Sequence, residues 1–509
     1  MEETDMCYVT PAALSLQQAI PNNCTAKTLG PGERLTISVQ ALARQQTITS
    51  LADQFDVSRK FVYQQAGIAQ TALEDAFAPA SADDQVLFYL PVTKAWLQQV
   101  VLCLILYCHS SYRGVIEFCR DLLNVKLSLG TIHNIVRAAV AKARHHNLQV
   151  PLGNIDIAGL DELFQVRRPV LVGADIASTY CFLLSQEEHR DADTWAIRLL
   201  EAKDRGFAPK ATVADFGAGL RAGQKEALPG TACRGDVFHV GLEVTPLATY
   251  LENRAYQAIK THHNLQKNKA NTQRQGRSLQ GLSQKIAAAE HAEAKAIALA
   301  DDVAVLARWL LDDVFAVSAL PYTDRCTLYD FILAELKVRQ PLCPHRIAPL
   351  CTLLANHRDE VLAFAVQLDQ ELSSLAAACE VSVTSVREVF DLDNLSERKP
   401  ERWQKEAVLR QQLGQHFLPL QQAVRYYAEH TVRASSIIEN INSRLRSYFF
   451  LRRHLGNDYL ALLQFFFNHR RFLRSERPER VGKSPAELLT GETHPHWLEM
   501  LGYKLFSRS

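Results

Sequence analysis

The spacing of apolar positions changes several times along the chain, and each change predicts a different kind of element. Residues 1–34 are rich in Pro, Gly, Asn and Thr and sustain no period, which predicts a poorly ordered arm. From Leu35 the pattern is helical. "ITSLADQFDVSRKFVYQQAGIA" aligns Ile48, Leu51, Ala52 and Phe55, breaks at Asp56 and Val57, and resumes behind Ser58, an N-cap for a helix that buries Phe61 and Val62. This is the outline of a helix-turn-helix, with Arg59, Lys60, Tyr63 and Gln64 on the outer side of the second helix, where phosphates or base edges are met. The outline recurs as a helix over Tyr112 to Leu123, a turn, and a helix from Ser128 to about Arg144. Either unit alone is equally a plain helical hairpin; two in tandem favour DNA contact.

At Asn154 the period shortens. "IDIAGLDELFQV", "PVLVGADIAS" and "TYCFLLSQ" read as three strands, with turns at Arg167 to Pro169 and Ala177 to Thr179. A helix over about Asp191 to Arg205, a strand "ATVADF", a Gly-punctuated helix start at Gly217 to Gly223 and a strand "ACRGDVFHV" follow. An antiparallel meander that continues into alternating units predicts a mixed α/β sheet. Beyond His239 the strands cease. From about Leu247 to His430 the pattern is helical, and the Gln-, Lys- and Ala-rich stretch Tyr256 to Leu299 reads as an exposed helical pair or short coiled coil. The predicted organisation is an arm (1–34), a helix-turn-helix domain (35–90), a second helical or helix-turn-helix domain (91–150), a sheet domain (151–246), an all-helical insertion (247–430) and the rest of the sheet domain with a basic tail (431–509).

Composition narrows the setting more than the function. A chain of 509 residues, 47% apolar, has material for several cores, and a net charge of +1 moves attention to local clusters. Eleven cysteines without a C-x-x-C pair resemble neither a disulfide framework nor a zinc ribbon and fit a reducing cytosol. The closest approach to a metal cluster, Cys343, His345 and Cys351, matches no usual zinc spacing and reads as buried thiols. Acids at Glu2, Glu3 and Asp5 argue against an export signal. The most apolar run, Trp96 to His109, is broken by glutamines and too short for a bilayer, so it predicts a buried helix and no membrane partner.

Two acids stand out in the strands. Asp161 lies within the first and Asp215 at the end of the fourth, where strand ends face a ligand crevice. Two such carboxylates, joined by a third from a helix, can hold two Mg²⁺ ions at a phosphodiester, because Mg²⁺ requires hard oxygen ligands. Asp156, Glu162 and Asp175 compete for the first position. Near the end of the chain, "SSIIENINSRLRSYFFLRR" carries Ser436 and Glu439 at capping-box spacing.

These pieces together resemble the DDE transposases with an RNase H-like catalytic domain, of the bacterial insertion-sequence type. "IAGLDELF" and "TVADFGAG" resemble the two aspartate motifs, and "SIIENINSRLRSYFFLRR", "LLQFFFNHRRF" and "GKSPAELL" resemble the C-terminal helix and its sequel. "RGDVFHV" resembles the C/D-x-x-H signature of members with a helical insertion. At the second site Asp215 is followed by Phe216, where many relatives have glycine. The resemblance implies Asp161, Asp215 and Glu439 as catalytic ligands of two Mg²⁺ or Mn²⁺ ions, with Asp236, His239 and Arg446 orienting substrate. It also implies double-stranded DNA, both element ends and target, as partner, and a homodimer or higher oligomer. An insertion after His239 accounts for the 224 positions between Asp215 and Glu439, against 54 between the aspartates. Ten Lys or Arg against three acids between Asn440 and Lys483 assign DNA contact to Arg444, Arg452, Arg453, Arg470 and Arg471, the phenylalanines packing on the sheet while the arginines face DNA. Two other readings keep the same residues: a DNA-binding regulator without cleavage, and an RNase H-like nuclease without strand transfer.

Overall fold

The computed structural model describes residue 26 and residues 28–77, 88–433, 436–452 and 455–507. The expected arm up to residue 25 and Arg453 lie outside the described residues, as does the side chain of Ser436. Two compact units emerge, one of residues 1–135 with 503–509 and one of residues 136–502.

The first unit holds α1 (Pro31–Leu42), α2 (Ile48–Gln54), α3 (Arg59–Phe77), α4 (Lys94–Leu106), α5 (Tyr112–Leu123) and the start of α6 (Leu129–Gln149). Helix α1 starts four residues earlier than the change of period suggests, with Pro31 at its first position and Glu33 returning to the Gly30 N–H at 2.8 Å. Ile37, Ala41, Leu51, Ala52 and Val62 close a small core beneath α1–α3. Both expected caps form: the Ser58 hydroxyl accepts from Phe61 N at 3.1 Å and the Ser128 hydroxyl from Thr131 N at 3.0 Å. Arg59, Lys60 and Tyr63 are exposed and Gln64 half-buried at the start of α3.

The second unit is built on a five-stranded mixed sheet: β1 (Ile157–Gln165), β2 (Arg168–Asp175), β3 (Cys181–Gln186), β4 (Ala211–Ala214) and β5 (Ala232–Gly235), in the order β3-β2-β1-β4-β5. The first three strands are antiparallel; β4 and β5 run parallel to β1. Their crossovers are α7 (Ala192–Lys203) and α8 (Ala218–Ala227). These helices lie so close that a Cβ on Gly223 would stand 2.5 Å from the Ala192 carbonyl oxygen, which is why the second crossover needs glycine there. Leu160, Leu171, Phe182, Trp195, Leu199 and Phe207 fill the core between helices and sheet.

The fifth strand is shorter than its apolar pattern predicts. Asp236 accepts a hydrogen bond from Phe238 N at 2.8 Å and caps α9 (Val237–Arg274), so "DVFHV" leaves the strand for a helix. With the cap formed, helical hydrogen bonding outcompetes β-branched preference. After α10 (Leu282–Arg308) come α11 (Tyr322–Arg339), α12 (Pro344–Asn356), α13 (Arg358–Val361), α14 (Ala363–Ala378), α15 (Val383–Asn394), α16 (Pro400–Leu413) and α17 (Phe417–His430). They form two apolar cores, one around Val244, Leu306 and Tyr329, the other around Leu372, Phe390 and Leu420.

The chain then returns to the sheet through α18 (Ser436–Leu451) and α19 (Gly456–His469), and ends in α20 (Pro485–Thr490) and α21 (Trp497–Met500). Asn468 works as a surrogate strand residue: its amide donates to the Cys181 carbonyl and accepts from Cys181 N, both at 2.8 Å, closing the edge of β3. Phe465, Phe466 and Phe467 are buried as expected, whereas Phe450 is 90% exposed and does not pack on the sheet. No helix among the described residues is long and apolar enough to cross a membrane, and the described cysteines are free thiols.

Candidate functional site

Register alone brings the strand acids together. Leu160 pairs with Ala214 across β1 and β4, and Ala214 with Gly235 across β4 and β5, so the next residues, Asp161, Asp215 and Asp236, lie level at the ends of the parallel pairings. Adjacent strands are about 4.8 Å apart, which sets like charges side by side. From the other direction come His239, in the first turn of α9, and Glu439, in the first turn of α18. One ligand atom each from Asp161, His239 and Glu439 lies within 4.8 Å of the other two. This trio differs from the expected one: it includes His239 and not Asp215, whose charge acts on both Asp161 and His239 and whose carboxylate accepts from Gly217 N at 3.0 Å.

Asp161 is 4% exposed. Burial raises its carboxyl to about 6; the Asp215 charge adds to the rise, while Glu162 N (2.8 Å), the His239 charge and the Asn442 amide (2.6 Å) oppose it. For His239, burial disfavours the imidazolium, but Asp236, Asp161 and Asp215 outweigh it and lift the group to about 9. Its Nδ1 lies 3.2 Å from the Asp236 carboxylate, off the line of a hydrogen bond. The site therefore carries a fixed cation against several carboxylates at neutral pH.

Asn442 is the residue that sequence reasoning passed over. It is fully buried, its Nδ2 holds Asp161 Oδ2, and its Oδ1 has no hydrogen-bond partner. Its signal was its spacing, three positions after Glu439 and four before Arg446, on one face of α18. Arg446 is mostly exposed, with a guanidinium nitrogen 3.9 Å from the Glu439 carboxylate. The competing acids all have partners of their own: Asp156 with Lys210 at 2.9 Å, Glu162 with Arg190, and Asp175 with the Ser178 hydroxyl at 2.5 Å.

Four arginines of the basic tail have partners within the chain, and of these Arg471 is still exposed. Arg444 turns inward, its guanidinium 3.9 Å from the Phe467 ring centre, and burial lowers its pKa to about 10. Arg452 lies over Tyr459 at 4.4 Å and Arg470 over Phe466 at 5.7 Å. Arg471 pairs with Glu487 at 2.8 Å and donates to the His494 carbonyl. The physical reason is common to all four: α19 offers ring faces and α20 a carboxylate, to which guanidinium groups bind as readily as to phosphate. Arg446 keeps the outward, site-facing position.

A cavity of about 1190 Å³, whose lining does not include Asp161, His239 or Glu439, runs along α9. Phe238, Gly241, Leu242 and Thr245, one face of α9, line it together with Arg433 and Ile437. No family model matches the chain, and no curated protein matches it.

Proposed function

We propose that the chain is a DNA transposase with an RNase H-like catalytic domain, in which Asp161, Asp215 and Glu439 hold Mg²⁺ or Mn²⁺ for cutting and joining DNA. The observation that carries this reading is the meeting of Asp161 and Glu439, 278 positions apart, within 4.8 Å of each other and of His239. The sheet order, with a meander followed by two parallel strands and a long helical excursion before α18, supports the RNase H-like assignment. The donor chemistry fits a hard divalent cation: carboxylate oxygens from two strands and a helix, with a buried aspartate that gives up its proton near pH 6. When bound, such ions supply Lewis acidity at a phosphodiester and acidify a water or 3′-hydroxyl.

The chain's own residues do the rest. Asn442 fixes the rotamer of Asp161. Asp236 anchors His239, which stays charged at neutral pH and orients a phosphate oxygen; Arg446 offers a second cation beside Glu439. Helix α3 presents Arg59, Lys60, Tyr63 and Gln64 to element ends, and pairing of two ends calls for a dimer or larger assembly.

The test is joining. Pre-cut element ends incubated with target DNA and Mg²⁺ are expected to yield joined products that require Asp161, Asp215 and Glu439. Cutting without joining identifies a nuclease instead, and duplex binding with neither activity identifies a regulator.

A further inference from the structure

The helical pair α9–α10 carries the longest acid-free stretch in the chain. Asp and Glu make up 55 of 509 residues, so a 37-residue stretch should contain about four; residues 253–289 contain none. The same stretch holds seven cations, Arg254, Lys260, Lys267, Lys269, Arg274, Arg277 and Lys285, and ten Asn or Gln. Six of the seven are exposed and Lys269 is half-buried. None of them forms an ion pair among the described residues, in contrast to Arg446 and Arg471 of the tail.

Geometry turns this composition into a surface. The buried residues of α9 end at Ala255 and those of α10 begin at Leu299, so beyond these points the two helices pack only on each other, tied by His262 and Glu293. From Ala255 to Arg274 the arm extends about 28 Å at 1.5 Å per residue. Lys260, Lys267 and Arg274 are seven positions apart, two turns with a drift of only about 20° per step, so they form one row spaced about 10 Å. Asn264 and Asn271 fall between them on the same face, adding neutral donors.

The pattern also selects the kind of polyanion. Apart from Tyr256 at its base, which is 60% exposed, the arm has no Phe, Tyr or Trp up to residue 308, so it offers unpaired bases one ring and no succession of stacking platforms. Apart from Tyr256 and Ile259 at its base, no large apolar side chain is exposed until Val305, so the outer part of the arm has nothing to anchor it in a lipid interface. A row of cations and amides about 10 Å apart, with a single ring at its base, suits the phosphates of a duplex, read without regard to sequence.

We infer that the α9–α10 hairpin is a backbone clamp for double-stranded DNA, separate from the metal site and from the helix-turn-helix. The choice of DNA as the duplex rests on the proposed function; the surface itself does not. The test uses the full chain in EDTA, with a labelled 40-bp duplex of arbitrary sequence followed by fluorescence anisotropy over a salt series. The triple variant Lys260→Gln, Lys267→Gln, Arg274→Gln keeps helix-forming residues, and a circular-dichroism melt checks its fold. Three lost phosphate contacts should flatten the slope of log K against log salt by about 2 to 3 and weaken binding roughly 10- to 100-fold at 150 mM salt. A Lys260→Arg, Lys267→Arg, Arg274→Lys variant should bind like the parent. Equal slopes and affinities within twofold overturn the inference, as does a parent chain that ignores the duplex. Loss of binding to phosphatidylglycerol vesicles with DNA binding unchanged overturns it too. If the triple variant still nicks DNA with Mg²⁺ at low salt, the site reading stands whatever becomes of the clamp; if the parent chain never nicks while the slopes differ, the site reading fails and the clamp stands.

Discussion

Replacing Asp161 by asparagine should make the metal-free protein more stable, although it removes a residue at the centre of the site. In the folded chain the carboxyl is raised from 3.8 to about 6, chiefly by burial. A raised acid contributes stability fully below its unfolded value of 3.8, loses it as pH climbs through 6, and above that leaves a charged group in a place that disfavours it. At 1.36 kcal/mol per unit the cost at pH 7 and above is about 3 kcal/mol. Asparagine avoids the charge, can still accept from Glu162 N, and loses some attraction to His239. The expected net gain is about 1–3 kcal/mol at pH 7.5, a rise of a few °C in melting temperature. Thermal melts in EDTA at pH 4, 6 and 8 measure it: D161N and parent should coincide at pH 4 and separate increasingly towards pH 8. A variant that melts lower than the parent at every pH would refute the reasoning and make Asp161 a structural partner.

Other expectations follow from the same contacts. Mn²⁺ affinity, followed by calorimetry, should rise from pH 5 to about 6.5 as Asp161 gives up its proton, then level off while His239 stays charged; an unbroken rise to pH 9 would make His239 a ligand instead. Asn442→Ala strips Asp161 of its side-chain donor and should lower metal-dependent cutting about 10- to 100-fold, read in a plasmid-nicking assay. Arg444→Ala should cost about 1–3 kcal/mol in denaturant unfolding by removing a largely buried stack on Phe467, whereas Arg446→Ala, exposed, should leave the midpoint within about 0.5 kcal/mol and slow cutting.

Much of the scaffold was legible because its signals are local. Ser58 and Ser128 announce helices that start at the next residue, each accepting from the N–H three positions on, and the strands at Asp161 and Asp215 show in runs of apolar and β-branched side chains. The end of the fifth strand was not legible, since Val237, Phe238 and Val240 read as strand until Asp236 is seen to cap. Charge alone does not reveal partners in the tail: counting arginines between Asn440 and Lys483 says nothing of the rings that meet Arg444, Arg452 and Arg470 or the carboxylate that meets Arg471. Asn442 was hidden for a related reason, because an asparagine declares its role only when the buried carboxylate it holds comes from a strand 281 positions away.

The central claim is that three carboxylates carry metal-dependent scission of DNA. Nicking of supercoiled duplex with Mg²⁺ or Mn²⁺, compared across the parent chain, D161N, D215N and E439Q at matched duplex binding, tests it most directly. The account predicts cutting by the parent that stops with EDTA and falls at least 100-fold in each single variant. Cutting that survives E439Q or D215N undiminished, or a folded parent that binds duplex and never cuts, would contradict it.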